Sequence, residues 1–208
     1  MALTRLNNNA IGETLSVAKG GTGVTSADEI GNMVLLSTAT ASADSSIEFT
    51  SGIDSTYSIY RFEFINIHPA TNDVNFSVNF RDGDTNFDAT KTGTGAQLNI
   101  NEDGTGAQFV HATALNAAQT TNAHQISHST GNSNDESLSG HFILYNPSST
   151  TFAKNYLGFI QNYHENNNSQ LHFSEGYVNT TSAVDGVKFN FSSGNIDSGT
   201  IIMYGVRT

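Results

Sequence analysis

No cysteine occurs anywhere in the chain, so a disulfide framework and thiolate metal sites are excluded, and the composition fits assembly in a reducing cytoplasm. Basic residues are scarce as well. Eight Lys and Arg, scattered from Arg5 to Arg207, stand against 19 Asp and Glu, for a net charge of −11. Nucleic-acid binding needs a basic stripe to replace phosphate counterions, and none is present. The same acidity denies the chain an electrostatic route onto an anionic membrane. Long apolar runs are missing too. The longest aliphatic stretch is Met33-Val34-Leu35-Leu36, and residues 1–14 lack a basic-then-apolar pattern, so neither membrane insertion nor a signal peptide is expected.

What fills the chain instead is neutral polarity. Charged residues make up 13% and hydrophobic ones 37%, which leaves Asn, Ser and Thr as about a third of the whole. Disordered chains of low hydrophobicity usually carry high charge and few aromatics. This chain holds 13 Phe and 7 Tyr, enough to order a domain whose surface is hydrophilic but mostly uncharged. Its length of 208 residues suits one large domain, or one domain with an arm.

Residues 1–31 differ from the rest. They are short of aromatics and contain Val17-Ala18-Lys19-Gly20-Gly21-Thr22-Gly23-Val24-Thr25-Ser26. Glycines at 20, 21 and 23 admit backbone geometries with φ > 0 that are closed to other residues. No lysine follows them in the order a phosphate-binding loop requires. Ser26-Ala27-Asp28-Glu29 fits a capping box, predicting one helical turn that ends at Gly31-Asn32. We read Lys19, Gly20, Gly21, Thr22 and Gly23 as a joint between an extended anchoring arm (1–31) and a globular head (32–208).

From residue 32 onward the period is two. Val74, Phe76, Val78 and Phe80 alternate with Asn75, Ser77, Asn79 and Arg81, the pattern of a half-buried strand. Tyr60, Phe62 and Phe64 repeat it against Arg61 and Glu63. Further strands are predicted at Ile47–Phe49, His141–Asn146, Tyr156–His164, Leu171–Tyr177, Val187–Phe191 and Thr200–Val206, separated by turn signals such as Asn146-Pro147 and Asp185-Gly186. No segment carries a sustained 3.6-residue apolar stripe. The expected fold is therefore all-β, an antiparallel β-sandwich of jelly-roll type. Residues 82–137 are more polar and contain Gly-Thr-Gly-Ala-Gln twice, at 93–97 and 104–108, so they read as a surface lobe built on repeated turn chemistry.

Candidate chemistry is sparse. Asp82, Asp84, Asn86 and Asp88 space hard oxygen ligands by two, which suits Ca²⁺, yet Phe87 stands where a calcium loop needs glycine and Gly93 where it needs a bidentate Glu. The same composition makes an ordinary hairpin turn. His124 and His128 fall on one side of either a helix or a strand, suiting a metal shared near a symmetry axis or simply two solvated rings. There is no G-x-S-x-G elbow, no H-E-x-x-H helix and no dinucleotide fingerprint. Glu102-Asp103 and Asp135-Glu136 are sequence neighbours, which face opposite ways on an extended chain and make poor glycosidase pairs. No catalysis and no cofactor are expected.

The glycine joint with its capped turn resembles the neck of tailed-bacteriophage fibre proteins. Ser198-Gly199-Thr200-Ile201-Ile202-Met203-Tyr204-Gly205-Val206 is similar to the closing strand of fibre heads, particularly from marine and cyanobacterial phages. Val34–Ser42 and Tyr57–Asn66 look like the first strands of such heads. The resemblance implies a structural protein of the virion, assembled in the host cytoplasm, usually a homotrimer, mounted on other virion proteins by its N-terminus. Its head contacts a host-surface glycan or protein, with the 82–137 segment and Tyr163, His164, Asn166, Asn167 and Asn168 as contact candidates. A capsid decoration protein that stabilises the shell is the alternative, and a tailspike-type glycan hydrolase is a third.

Overall fold

The computed structural model describes residues 32–207. The arm, the Lys19–Gly23 joint and the capped turn lie outside these residues. Among them are the strands β1 (Met33–Thr40), β2 (Ile47–Phe49), β3 (Ile59–Pro69), β4 (Val74–Arg81), β5 (Lys91–Asn101), β6 (Gln108–His111) and β7 (Ala117–Thr120). They continue with β8 (His124–Thr130), β9 (Leu138–Tyr145), β10 (Lys154–His164), β11 (Asn168–Val178), β12 (Gly186–Phe191) and β13 (Ile196–Val206). One 3-10 turn, Thr113–Leu115, precedes β7. Every pairing is antiparallel.

The strand order is that of a jelly roll. One sheet runs β1-β13-β3-β9 and the other β8-β4-β12-β2, so successive framework strands alternate between sheets except at β4 and β8, which are neighbours in one sheet. Two insertions widen the first sheet. The hairpin β10–β11 adds to β9, and β5 adds to β11 along its full length, with β6 and β7 beyond it. A single bridge, His164 to Thr130, joins the two sheets at one corner.

The alternating residues named above close the core. Phe189 of β12 lies 5.0–5.9 Å, ring to ring, from Phe62, Phe64, Phe76 and Phe142. Phe80 of β4 meets Tyr156 of β10 at 5.1 Å. These rings come from both sheets, so the period-two faces fold against one another and their burial drives the sandwich together.

The segment 82–137, expected as a surface lobe, is only partly one. β5 is a full member of the wide sheet, and β8 is a framework strand that pairs with β4. Non-local pairing recruits these polar sequences. The inner face of β5, β10, β11 and β8 is correspondingly polar, with Gln97, Asn162, Gln170, His172, Ser174 and Thr130 all buried. Backbone ladders satisfy the main chain there, but His172 Nδ1 and Nε2, Asn162 Oδ1 and Gln170 Oε1 have no protein partner. Each such group costs about 1–3 kcal/mol of desolvation, which the aromatic core must offset.

Two glycines let this layer close. A Cβ on Gly176 would stand 2.4 Å from the Tyr156 hydroxyl, and one on Gly93 would stand 2.6 Å from His124 Cε1. The bare backbone thus admits the Tyr156–His124 pair. His124 Nε2 donates to the Leu115 carbonyl at 2.7 Å, so its Nδ1 accepts from the Tyr156 hydroxyl, also at 2.7 Å.

Candidate functional site

Three connections meet at one end of the wide sheet. The β10–β11 hairpin turns through Glu165-Asn166-Asn167, a three-residue loop with Asn167 in the left-handed region at φ 55°. That residue type tolerates the conformation, and this loop length favours it there. The Asn166 N–H donates to His164 Nδ1 and the Asn167 N–H to the His164 carbonyl, both at 3.0 Å. Beside it, the β5–β6 connection is built on Asp103, whose Oδ1 accepts from the Thr105 N–H at 2.9 Å. The third connection, between β8 and β9, reaches the site through the Ser137 carbonyl, which accepts from the Tyr163 N–H at 3.0 Å.

Together they enclose a cleft of about 350 Å³, lined by Ile100, Asn101, Glu102, Asp135, Ser137, Gln161, Tyr163, Asn168 and Ser169. Register explains its floor: Ile100, Ser169 and Tyr163 are paired across β5, β11 and β10 and point to the outer face. The Tyr163 hydroxyl donates to Glu102 Oε1 at 2.7 Å, and that bond, with the surrounding carboxylates, pushes the phenol up to about 12. Tyr163 is therefore a neutral donor fixed in orientation. The remaining walls supply two carboxylates, the Gln161 amide and two serine hydroxyls around one aromatic ring and one aliphatic side chain. The paired Asn101 and Asn168 border the cleft at the strand ends, with Asn168 Oδ1 buried.

Of the residues singled out in the sequence, Tyr163 and Asn168 line the cleft, and the 82–137 segment contributes Ile100, Asn101, Glu102, Asp135 and Ser137. Asn166 and Asn167 shape the turn. His164 points the other way, into the inner layer, where its ring lies 6.5 Å from that of His128. Glu102 and Asp135, from two different adjacent pairs, both line the cleft because chain reversal brings distant segments together. Ser169 closes the turn that begins at Tyr163 and also lines the cleft, while Gln161 carried no signal of its own.

The Asp82–Asp88 stretch is a turn between β4 and β5. Asp84 Oδ1 accepts from the Asn86 N–H at 2.7 Å, and the fields of Asp82 and Asp88 act on the buried Lys154 and Lys91. His124 is bonded inside the protein as described, and His128 Nε2 meets Gln97 Oε1 at 2.6 Å. Neither ring is simply solvated: burial lowers the pKa of both. Among the described residues, no group of three or more His, Cys, Asp or Glu side chains is arranged to hold a metal ion.

The fold defines a class, the antiparallel jelly-roll sandwich with a widened sheet. The chain matches no protein-family model, no curated protein and no solved structure.

Proposed function

We propose that this protein is a virion surface protein of the phage-fibre type, whose jelly-roll head binds a hydroxyl-rich host-surface glycan without catalysis. The observation that carries this reading is the end cleft, where an oriented phenol, the Gln161 amide and two carboxylates converge around an aromatic face. Such groups satisfy the donors and acceptors of a sugar while the ring and Ile100 cover its apolar side. Jelly rolls occur among viral capsid and lectin domains, which supports the reading by analogy of fold alone. The phage-fibre part of the reading rests on the sequence resemblance of Ser198–Val206 and the first strands.

The test is binding of the purified full chain to a panel of bacterial surface polysaccharides, read by saturation-transfer NMR. Saturation of at least one polysaccharide is expected, with Tyr163→Ala and Gln161→Ala each weakening it about tenfold or more. Lys188→Ala, on the opposite sheet, should leave it unchanged. No binding across the panel, release of reducing ends, or binding indifferent to both cleft substitutions would overturn the proposal.

A further inference from the structure

The outer face of the wide sheet carries a second feature that the glycan reading does not use. Register builds it in rows across the strands. Phe159 is paired with Phe173, Phe173 with Ala96, and Ala96 with His111, while the next row runs Leu171, Leu98, Phe109. The Phe159 and Phe173 rings meet edge to face at 4.8 Å, and His141 stacks on Phe159 at 5.6 Å. Between Ile143 on one side and Phe109 on the other lies an open groove of about 560 Å³. We infer that this face is where copies of this chain associate with one another.

Three observations select a second copy as the occupant. The first is area. Phe109, Leu157, Leu98, Phe173 and Phe159 are 67%, 47%, 40%, 39% and 38% exposed. At ~200 Å² for a large apolar residue, this is about 460 Å² of apolar surface. A stable interface buries ~800 Å² per partner, and between copies of one chain ~65% of it is apolar, or about 520 Å². The face supplies most of what one self-interface requires, and patches of this size are often functional.

The second observation is charge. With 19 acidic against 8 basic residues, two copies repel one another over most of their surface. The groove lining contains one acid, Glu175, and no Lys or Arg. The adjoining Arg61 and Glu63 neutralise each other at 2.5 Å. Copies can therefore meet here with little electrostatic cost, and the face has no charge pattern by which to select an unlike partner.

The third is the edge. Among the described residues β6 pairs with β5 alone, and all four of its residues, Gln108 to His111, are exposed. It has no Lys, Pro or bulge of the kind that guards free strand edges. A neighbouring copy covers both this edge and the groove beside it. A small apolar ligand fits poorly, because a wall as exposed as Phe109 does not enclose what it touches.

This inference is independent of the glycan reading, and its readout is mass in solution. Sedimentation velocity of the full chain at micromolar concentration should give a discrete oligomer. Phe109→Asp and Leu157→Asp, both at well-exposed positions that do not disturb the core, should each shift it to monomer by placing unpaired charge in the contact. Far-UV circular dichroism verifies that each variant is folded, and should one fail to fold the other carries the test. A wild-type monomer at 100 μM (~2 mg/mL for a chain of 22.2 kDa, ample for an interface of the size argued here), or an oligomer untouched by the substitutions in a folded variant, would overturn the inference. So would a monomer whose native mass includes an apolar small molecule lost in Phe109→Asp.

Discussion

Replacing His172 with leucine isolates the contribution of one buried imidazole to acid stability. His172 is fully buried on β11, packed against the His128 ring at 4.8 Å, and neither of its nitrogens has a protein partner. Burial, reinforced by His128 and His164, pushes its pKa from 6.5 down to about 3. The unfolded chain therefore binds a proton below 6.5 that the folded chain refuses. Stability from this group is fully present above 6.5 and is lost as pH falls toward 3. The loss is about 1.4 kcal/mol per pH unit, or about 2.7 kcal/mol between pH ~6.5 and ~4.5, where most carboxylates are still ionised. That is a large share of the roughly 5–15 kcal/mol typical of a domain. His172→Leu breaks no hydrogen bond and fills a similar volume, so stability at neutral pH should be equal or higher. Urea melts taken at half-unit steps of pH should show the variant's slope shallower by about 1.4 kcal/mol per unit. His124 and His128, whose pKa values burial also lowers, keep part of the slope in both proteins. Identical slopes for wild type and variant would refute the reasoning.

Two further outcomes follow from the core and the lysines. Phe189→Ala removes the ring on which Phe62, Phe64, Phe76 and Phe142 converge, and should lower the unfolding free energy in urea by about 3–5 kcal/mol. Lys91 and Lys154 are fully buried, with Lys91 Nζ donating to the carbonyls of Thr120, Thr121 and Asn122 at 3.4, 3.3 and 2.8 Å. Acylation of the native protein, read by peptide mass spectrometry, should therefore modify Lys188 and spare Lys91 and Lys154 until urea is added.

Much of the framework was legible in residue order. The Val74–Arg81 alternation predicts β4 with its bounds intact, and Ile47–Phe49 coincides with β2. The cleft was half legible. Asn-rich turn chemistry marks the β10–β11 hairpin, but nothing local says that Glu102 and Asp135 will face it across the chain. One signal of the outer apolar face lay unused in β10. Leu157 and Phe159 alternate with Tyr156 and Ile160, so both faces of that strand are apolar, and only one can fill the core.

What the sequence by itself determined is most of the framework strands and the absence of a long helix pattern, because side chains alternate across a strand whatever its neighbours are. It also determined the acidic, cysteine-free, Asn/Ser/Thr-rich character, which excludes disulfides within the chain. Tertiary structure alone decided the jelly-roll order, the recruitment of β5 and β8 from a polar segment, and the inward turn of His164 and His172. It alone decided which aromatic face remains outside. These outcomes depend on pairings between residues far apart in the chain, such as Phe173 with Ala96 and His164 with Thr130. Register at such distances is chosen by the packing of the whole sandwich, and no short window of sequence contains it.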